Sequence, residues 1–150
     1  MEILFTVSNL LVLPFWFLMI VLPRWRWTQR ILQSSLVLVP FLLMYAILAL
    51  PLLGELWPIL LHPQLNSVAT ALSKPEVAAA GWIHYLAFDL FVGRWEFFDG
   101  QRLGLSAWLM APVLLLTLFL GPLGLLLYLG VRAFSKPPEQ APLAAISPRA

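Results

Sequence analysis

The chain has 150 residues, of which 61% are hydrophobic and only 11% charged, with 9 Lys and Arg against 7 Asp and Glu and a net charge of +2. A soluble domain carries about 25% charged residues, so a water-solvated globule is excluded, and the small positive surplus lacks the concentrated basic surface of a nucleic-acid binder. With no cysteine, disulfides, thiolate catalysis and cysteine metal sites are excluded as well.

No charged residue interrupts residues 3–22, 31–54 or 106–131. A helix rises about 1.5 Å per residue, so about 20 apolar residues cross a bilayer core roughly 30 Å thick, and all three runs reach that length. The first run has no basic residue ahead of it, is too long for a signal-peptide core, and meets no small-residue cleavage pattern before Pro23-Arg24. It therefore reads as a retained membrane helix over 3–22. Pro14 frees the carbonyl of Leu10 and predicts a kink. Asn9, the strongly polar side chain of this helix, suits a helix–helix hydrogen bond better than catalysis.

Arg24, Arg26 and Arg30 then alternate with Trp25 and Trp27. Directly after a spanning helix this pattern is an interfacial anchor, with guanidinium groups at lipid phosphates and indoles at the boundary. A second helix is expected over 31–50, kinked at Pro40. Prolines 51, 58, 63 and 75 argue against one regular span beyond it, and predict an interfacial or re-entrant segment around 56–61 followed by a polar loop carrying His62. The third helix starts at Pro75, a suitable first-turn residue after the cap candidate Ser73, and runs to about Phe98, where Asp99-Gly100 marks a turn. A fourth helix covers 106–133 and contains Pro112, Gly121-Pro122 and Gly124. The expected fold is all-α: a four-helix transmembrane bundle over 1–134, then a disordered Pro-rich tail over 135–150. Four spans place both termini on one side, and the arginines after the first helix favour a cytoplasmic 23–30 loop.

The third helix is the one with chemistry, because ionisable groups within hydrocarbon are costly and mark function by default. It carries His84, Asp89, Arg94 and Glu96. Helical spacing puts Trp82, Tyr85, Asp89, Val92 and Glu96 on one face, and His84, Phe88, Phe91 and Trp95 on another. His84 and Asp89 are about 140° apart, so they form no direct pair, but they can flank one substrate between this helix and its neighbours. Asp89 can donate a proton or hydrogen bond, or pair with Arg94 to hold the bundle. His84 can act as base or donor. Trp82, Tyr85, Phe88, Phe91, Arg94 and Trp95 are the candidate ligand contacts, while Arg94 and Glu96 can also simply reach the interface. Gly93 permits close approach of a neighbouring helix. Residue chemistry leaves two readings open, a catalytic or ligand site and a structural network. His62 and His84 are the only histidines and no HExxH occurs, so no metal or other cofactor is expected.

The stretch GWIHYLAFDLFVGRW at 81–95, with Asp99-Gly100 and then GPLGLLLYLGVR at 121–132, resembles the abscisic-acid-deficient-type, neoxanthin synthase-like family of small membrane proteins. The similarity runs from the first helix to about residue 134. It implies a four-helix membrane protein of xanthophyll metabolism, similar to or required for the enzyme that converts violaxanthin to neoxanthin. That reaction opens an epoxide and forms an allene without net redox change, and it needs an acid at the epoxide oxygen and a base for the departing polyene proton. Asp89 and His84 are the positions matched to those roles. No plastid-type leader precedes the first helix, so a bacterial or cyanobacterial membrane is the expected location. The implied partners are membrane lipids, a carotenoid, and a membrane protein or second copy, with no nucleic acid. A non-enzymatic scaffold or carotenoid-binding subunit is the alternative, and a small transporter is disfavoured by the short chain and few intramembrane charges.

Overall fold

The computed structural model describes residues 1–135, so the expected disorder of the Pro-rich tail beyond Ser135 lies outside the described residues. The chain forms α1 (Glu2–Val21), α2 (Arg26–Gln33), α3 (Val39–Ala49), α4 (Leu53–Leu61), α5 (Leu65–Leu72), α6 (Pro75–Arg102) and α7 (Ala107–Ala133), with 3-10 turns at Ser35–Val37 and Leu50–Leu52. Glu2–Val21, Ser35–Leu61 and Ala107–Ala133 have the residue count and apolar composition of membrane-crossing segments. The chain is an all-α, multi-pass integral membrane protein.

α6, 28 residues and about 42 Å long, is the axis of the molecule. α1 runs parallel to it: Phe5 and Asn9 meet Trp82, Trp16 meets Gly93, and the Pro23 carbonyl meets Gln101. α3 runs the other way, with Tyr45 beside His84 while Leu32 and Gln33, earlier in the chain, meet Arg94. Trp16, Phe41, Ile83, Leu90, Val113 and Leu114 fill the centre. Lipid supplies no hydrophobic drive between helices, so packing depends on close approach at small residues. Gly93 does this as expected: a Cβ there would overlap the Trp16 ring.

Three expectations are corrected. The second helix does not start at 31. The chain bends at Ser34, whose Oγ accepts from the Leu36 amide at 3.2 Å, leaving α2 as a separate short helix. Nor does it stop at 50. Pro51 removes one amide from the ladder and the helix tightens to a 3-10 turn at Leu50–Leu52, but helical structure continues to Leu61, and α5 occupies the expected polar loop. Asp99-Gly100 is not a turn, because α6 continues to Arg102 and the chain turns at Gly104, with φ 69°. Asp favours turns when its carboxylate bonds nearby backbone. Here that carboxylate accepts from Tyr128 and Arg132 instead.

α7 departs furthest from the expected single helix. Met110 packs on Gly100, and Tyr128 bonds to the adjacent Asp99. A straight helix would hold Met110 and Tyr128 about 27 Å apart. Leu120, at φ −142° and ψ 60°, breaks the helix, and the chain reverses so that Gly124 touches the backbone of Thr117. α7 is thus a hairpin of two half-helices, 107–119 and 121–133, each about 20 Å long and too short to cross a 30 Å core. Pro122 removes the amide that would bond the Leu118 carbonyl, and Gly121 and Gly124 omit side chains where the chain meets its neighbours.

Candidate functional site

The hairpin tip reaches Asp89. The Asp89 carboxyl lies so close to Gly121 that a Cβ there would collide with it. Gly121 and Pro122 open the second half-helix, so the positive end of its dipole faces this carboxyl. Irregular backbone at membrane depth persists only where protein buries it or where it lines a cavity. A cavity of about 480 Å³ lies here, between α6 and the tip, bounded by Trp82, His84, Tyr85, Phe88, Asp89 and Val92 on one side and by Leu118–Pro122 and Leu125 on the other. Tyr85 and Phe88 are more than half exposed, so the cavity opens on the lipid-facing surface.

His84 stacks on Phe88 at 4.5 Å and lies 5.5 Å from the Tyr45 ring. His84 and Asp89, on different faces of α6, therefore flank one space without pairing. The arrangement offers an imidazole, a carboxyl and a phenol around an apolar volume, a set that can give and take protons. Among the described residues, no three His, Asp or Glu side chains converge as a metal ion would need.

The remaining residues singled out by sequence divide between this cavity and other tasks. Trp82 borders the cavity, and its indole N–H donates to Asn9 Oδ1 at 2.9 Å, which is the helix–helix bond expected of Asn9. Arg94 does not pair with Asp89. Its guanidinium donates to the Leu32 and Gln33 carbonyls and so caps the C-terminal end of α2. Phe91, Arg94 and Trp95 line a second cleft of about 590 Å³ with Gln29, Gln33, Gln101 and Arg102. On α2, Thr28 and Leu32 are buried, and Arg26 and Arg30 lie 5.8 and 5.5 Å from the Trp27 ring. Arg24, Trp25 and Trp27 are exposed beside them, as an interfacial anchor requires.

Two polar groups were not foreseen. Glu96 does not reach the interface. It is 0% exposed, with one carboxyl oxygen 2.8 Å from Thr117 Oγ1 and the other unpartnered. Thr117 Oγ1 also lies 3.1 Å from the Val113 carbonyl oxygen. At the end of α6, Asp99 accepts from Tyr128 at 2.6 Å and Arg132 at 2.7 Å. The spacing of Tyr128 and Arg132, one helical turn apart, was visible in the sequence, but their partner follows only from the reversal of α7.

Residues 3–128 match the ABA DEFICIENT 4-like family. The Arabidopsis thaliana protein ABA DEFICIENT 4, chloroplastic, is 34% identical over 106 residues, which cover 64% of this chain and 46% of that protein, so the chain spans about half the length of this curated relative. No solved structure matches.

Proposed function

The chain belongs to the ABA DEFICIENT 4-like family, and from that premise we propose that it is a xanthophyll-modifying isomerase acting at the cavity between α6 and the α7 tip. The observation that carries this reading is that His84 and Asp89 border one lipid-accessible apolar cavity from different faces of α6. A violaxanthin-like carotenoid enters laterally from the bilayer. Asp89 delivers a proton to the epoxide oxygen, the ring C–O bond breaks, and the oxygen becomes a hydroxyl. His84 takes a proton from the adjacent polyene carbon, and the released electron pair forms the new cumulated double bond. One proton enters and one leaves, so the product is an isomer. A proton donor and acceptor fixed beside the reacting bonds are what general acid–base catalysis requires.

In the bilayer, α1, Ser35–Leu61 and α6 form three crossings, and the α7 hairpin enters and returns on one side. The second reading, a carotenoid-binding subunit without catalysis, draws on the exposed aromatic rings of Trp82, Phe88, Phe91 and Trp95. Purified protein in lipid nanodiscs, supplied with an epoxy-xanthophyll, decides between them. Formation of a product of unchanged mass with an allenic infrared band is the expected result. Retention of unconverted pigment favours the binding subunit, and neither conversion nor retention contradicts both.

A further inference from the structure

We infer that the ligand extends well beyond this cavity, along an aromatic-floored groove on α6 to a second polar subsite, so that one rod polar at both ends lies across most of the bilayer. The inference rests on the reading above for the ligand's chemistry, and on independent geometry for its length and second end.

His84, Phe88, Phe91, Trp95, Phe98 and Arg102 recur at spacings of three and four and form one stripe about 27 Å long. Protein does not cover it: Phe88 is 54% exposed, Phe91 52% and Trp95 41%. It has walls on both sides. Tyr45 stands beside His84 on one side, and the α2 C-terminus is tied there by Arg94. On the other, the hairpin tip meets Asp89, and Tyr128 packs edge-on to Trp95 at 5.2 Å. One end of the groove holds His84 and Asp89. The other opens into the 590 Å³ cleft, where Gln29, Gln33, Gln101 and Arg102 present donors and acceptors. The Gln29–Gln101 and Gln101–Pro23 hydrogen bonds there are both 3.3 Å long, weak enough to be exchanged for bonds to a ligand.

The floor and the two ends select the occupant. A phospholipid tail reaches only about half of a 30 Å core and is polar at one end, so it would leave the inner polar end unmatched. A rigid all-trans polyene with a hydroxylated ring at each end matches the length, lays its π-face on the aromatic side chains, and loses little conformational freedom on binding.

The test is binding to the purified protein, read by quenching of tryptophan fluorescence and by induced visible circular dichroism. The probes are a full-length carotenoid hydroxylated at both ends, its counterpart lacking one hydroxyl, and a half-length apocarotenoid with one hydroxylated ring. The full-length dihydroxy ligand should bind about tenfold more tightly than either of the others, the fold-change expected of a hydrogen-bonded second end. Gln33→Leu with Gln101→Leu should abolish the preference for the second hydroxyl. In that variant, unchanged binding of the half-length probe verifies folding. If wild-type protein binds the half-length probe as tightly as the full-length one, the second subsite is refuted while the cavity reading stands. If carotenoids of neither length bind, both fall together.

Discussion

Asp89 and Glu96 share one face of α6 two turns apart, yet their surroundings give them different tasks. Asp89 borders an open cavity with its carboxyl against the glycine tip of the hairpin, whereas Glu96 is sealed in the core against Thr117. Asp89→Asn keeps the size and most hydrogen-bonding capacity but cannot deliver the proton. It is therefore expected to abolish xanthophyll conversion at near-normal abundance of inserted protein, with His84→Ala having a smaller or equal effect. Pigment composition per unit of detergent-resolved protein checks this, and wild-type conversion by Asp89→Asn would remove Asp89 from the chemistry. Arg94→Gln is the control: because Arg94 bonds α2 carbonyls and not Asp89, it should loosen α2 without removing the acid. Thr117→Val leaves the buried Glu96 carboxyl without a partner and should lower stability by about 1–3 kcal/mol, seen as a lower Tm in detergent.

Among the elements, the hairpin of α7 is the one that brings a second polypeptide segment against Asp89 and Asp99 on α6. Its glycines differ in what surrounds them. A side chain at Gly124 would occupy the backbone of Thr117, and one at Gly121 the Asp89 carboxyl, while nothing lies within 4 Å of Gly54 or Gly130. Gly124→Val and Gly121→Val are expected to destroy the monodisperse elution profile in detergent, and Gly54→Ala and Gly130→Ala to preserve it. Equal tolerance at all four positions would contradict the close packing of the tip. The charge-free runs made α1 and the core of the second stretch legible from sequence, and the ionisable residues of α6 singled out His84 and Asp89, which the fold places around one cavity. The reversal at Leu120 was not legible. A turn in water is marked by polar residues, whereas this one lies beside Asp89 within the bundle and is built from Leu, Gly and Pro inside an unbroken apolar run. α2 was hidden for the opposite reason. Its 8 residues carry a polar face at the surface, and only Thr28 and Leu32 are buried.

For the whole molecule, the reversal of α7 brings Arg132 to the end of the bundle that holds Arg24, Arg26, Arg30 and Arg102, while Lys74 lies at the other, and in the proposed topology these ends are the two sides of the membrane. The charge difference between the two sides is thus larger among the described residues than four straight spans would give. It favours placing the arginine-rich side in the cytoplasm. The same topology separates residue 2 from residue 134, which a straight fourth span would have placed together. Because the chain contains no cysteine, single Glu2→Cys and Phe134→Cys variants can be labelled with a membrane-impermeant maleimide in sealed vesicles without background. Labelling from opposite faces, with Phe134→Cys behaving like an Arg26→Cys reference, is the expected result. Labelling of both termini from the same face would mean that α7 crosses as one helix, which would carry its tip away from Asp89 and dismantle the site.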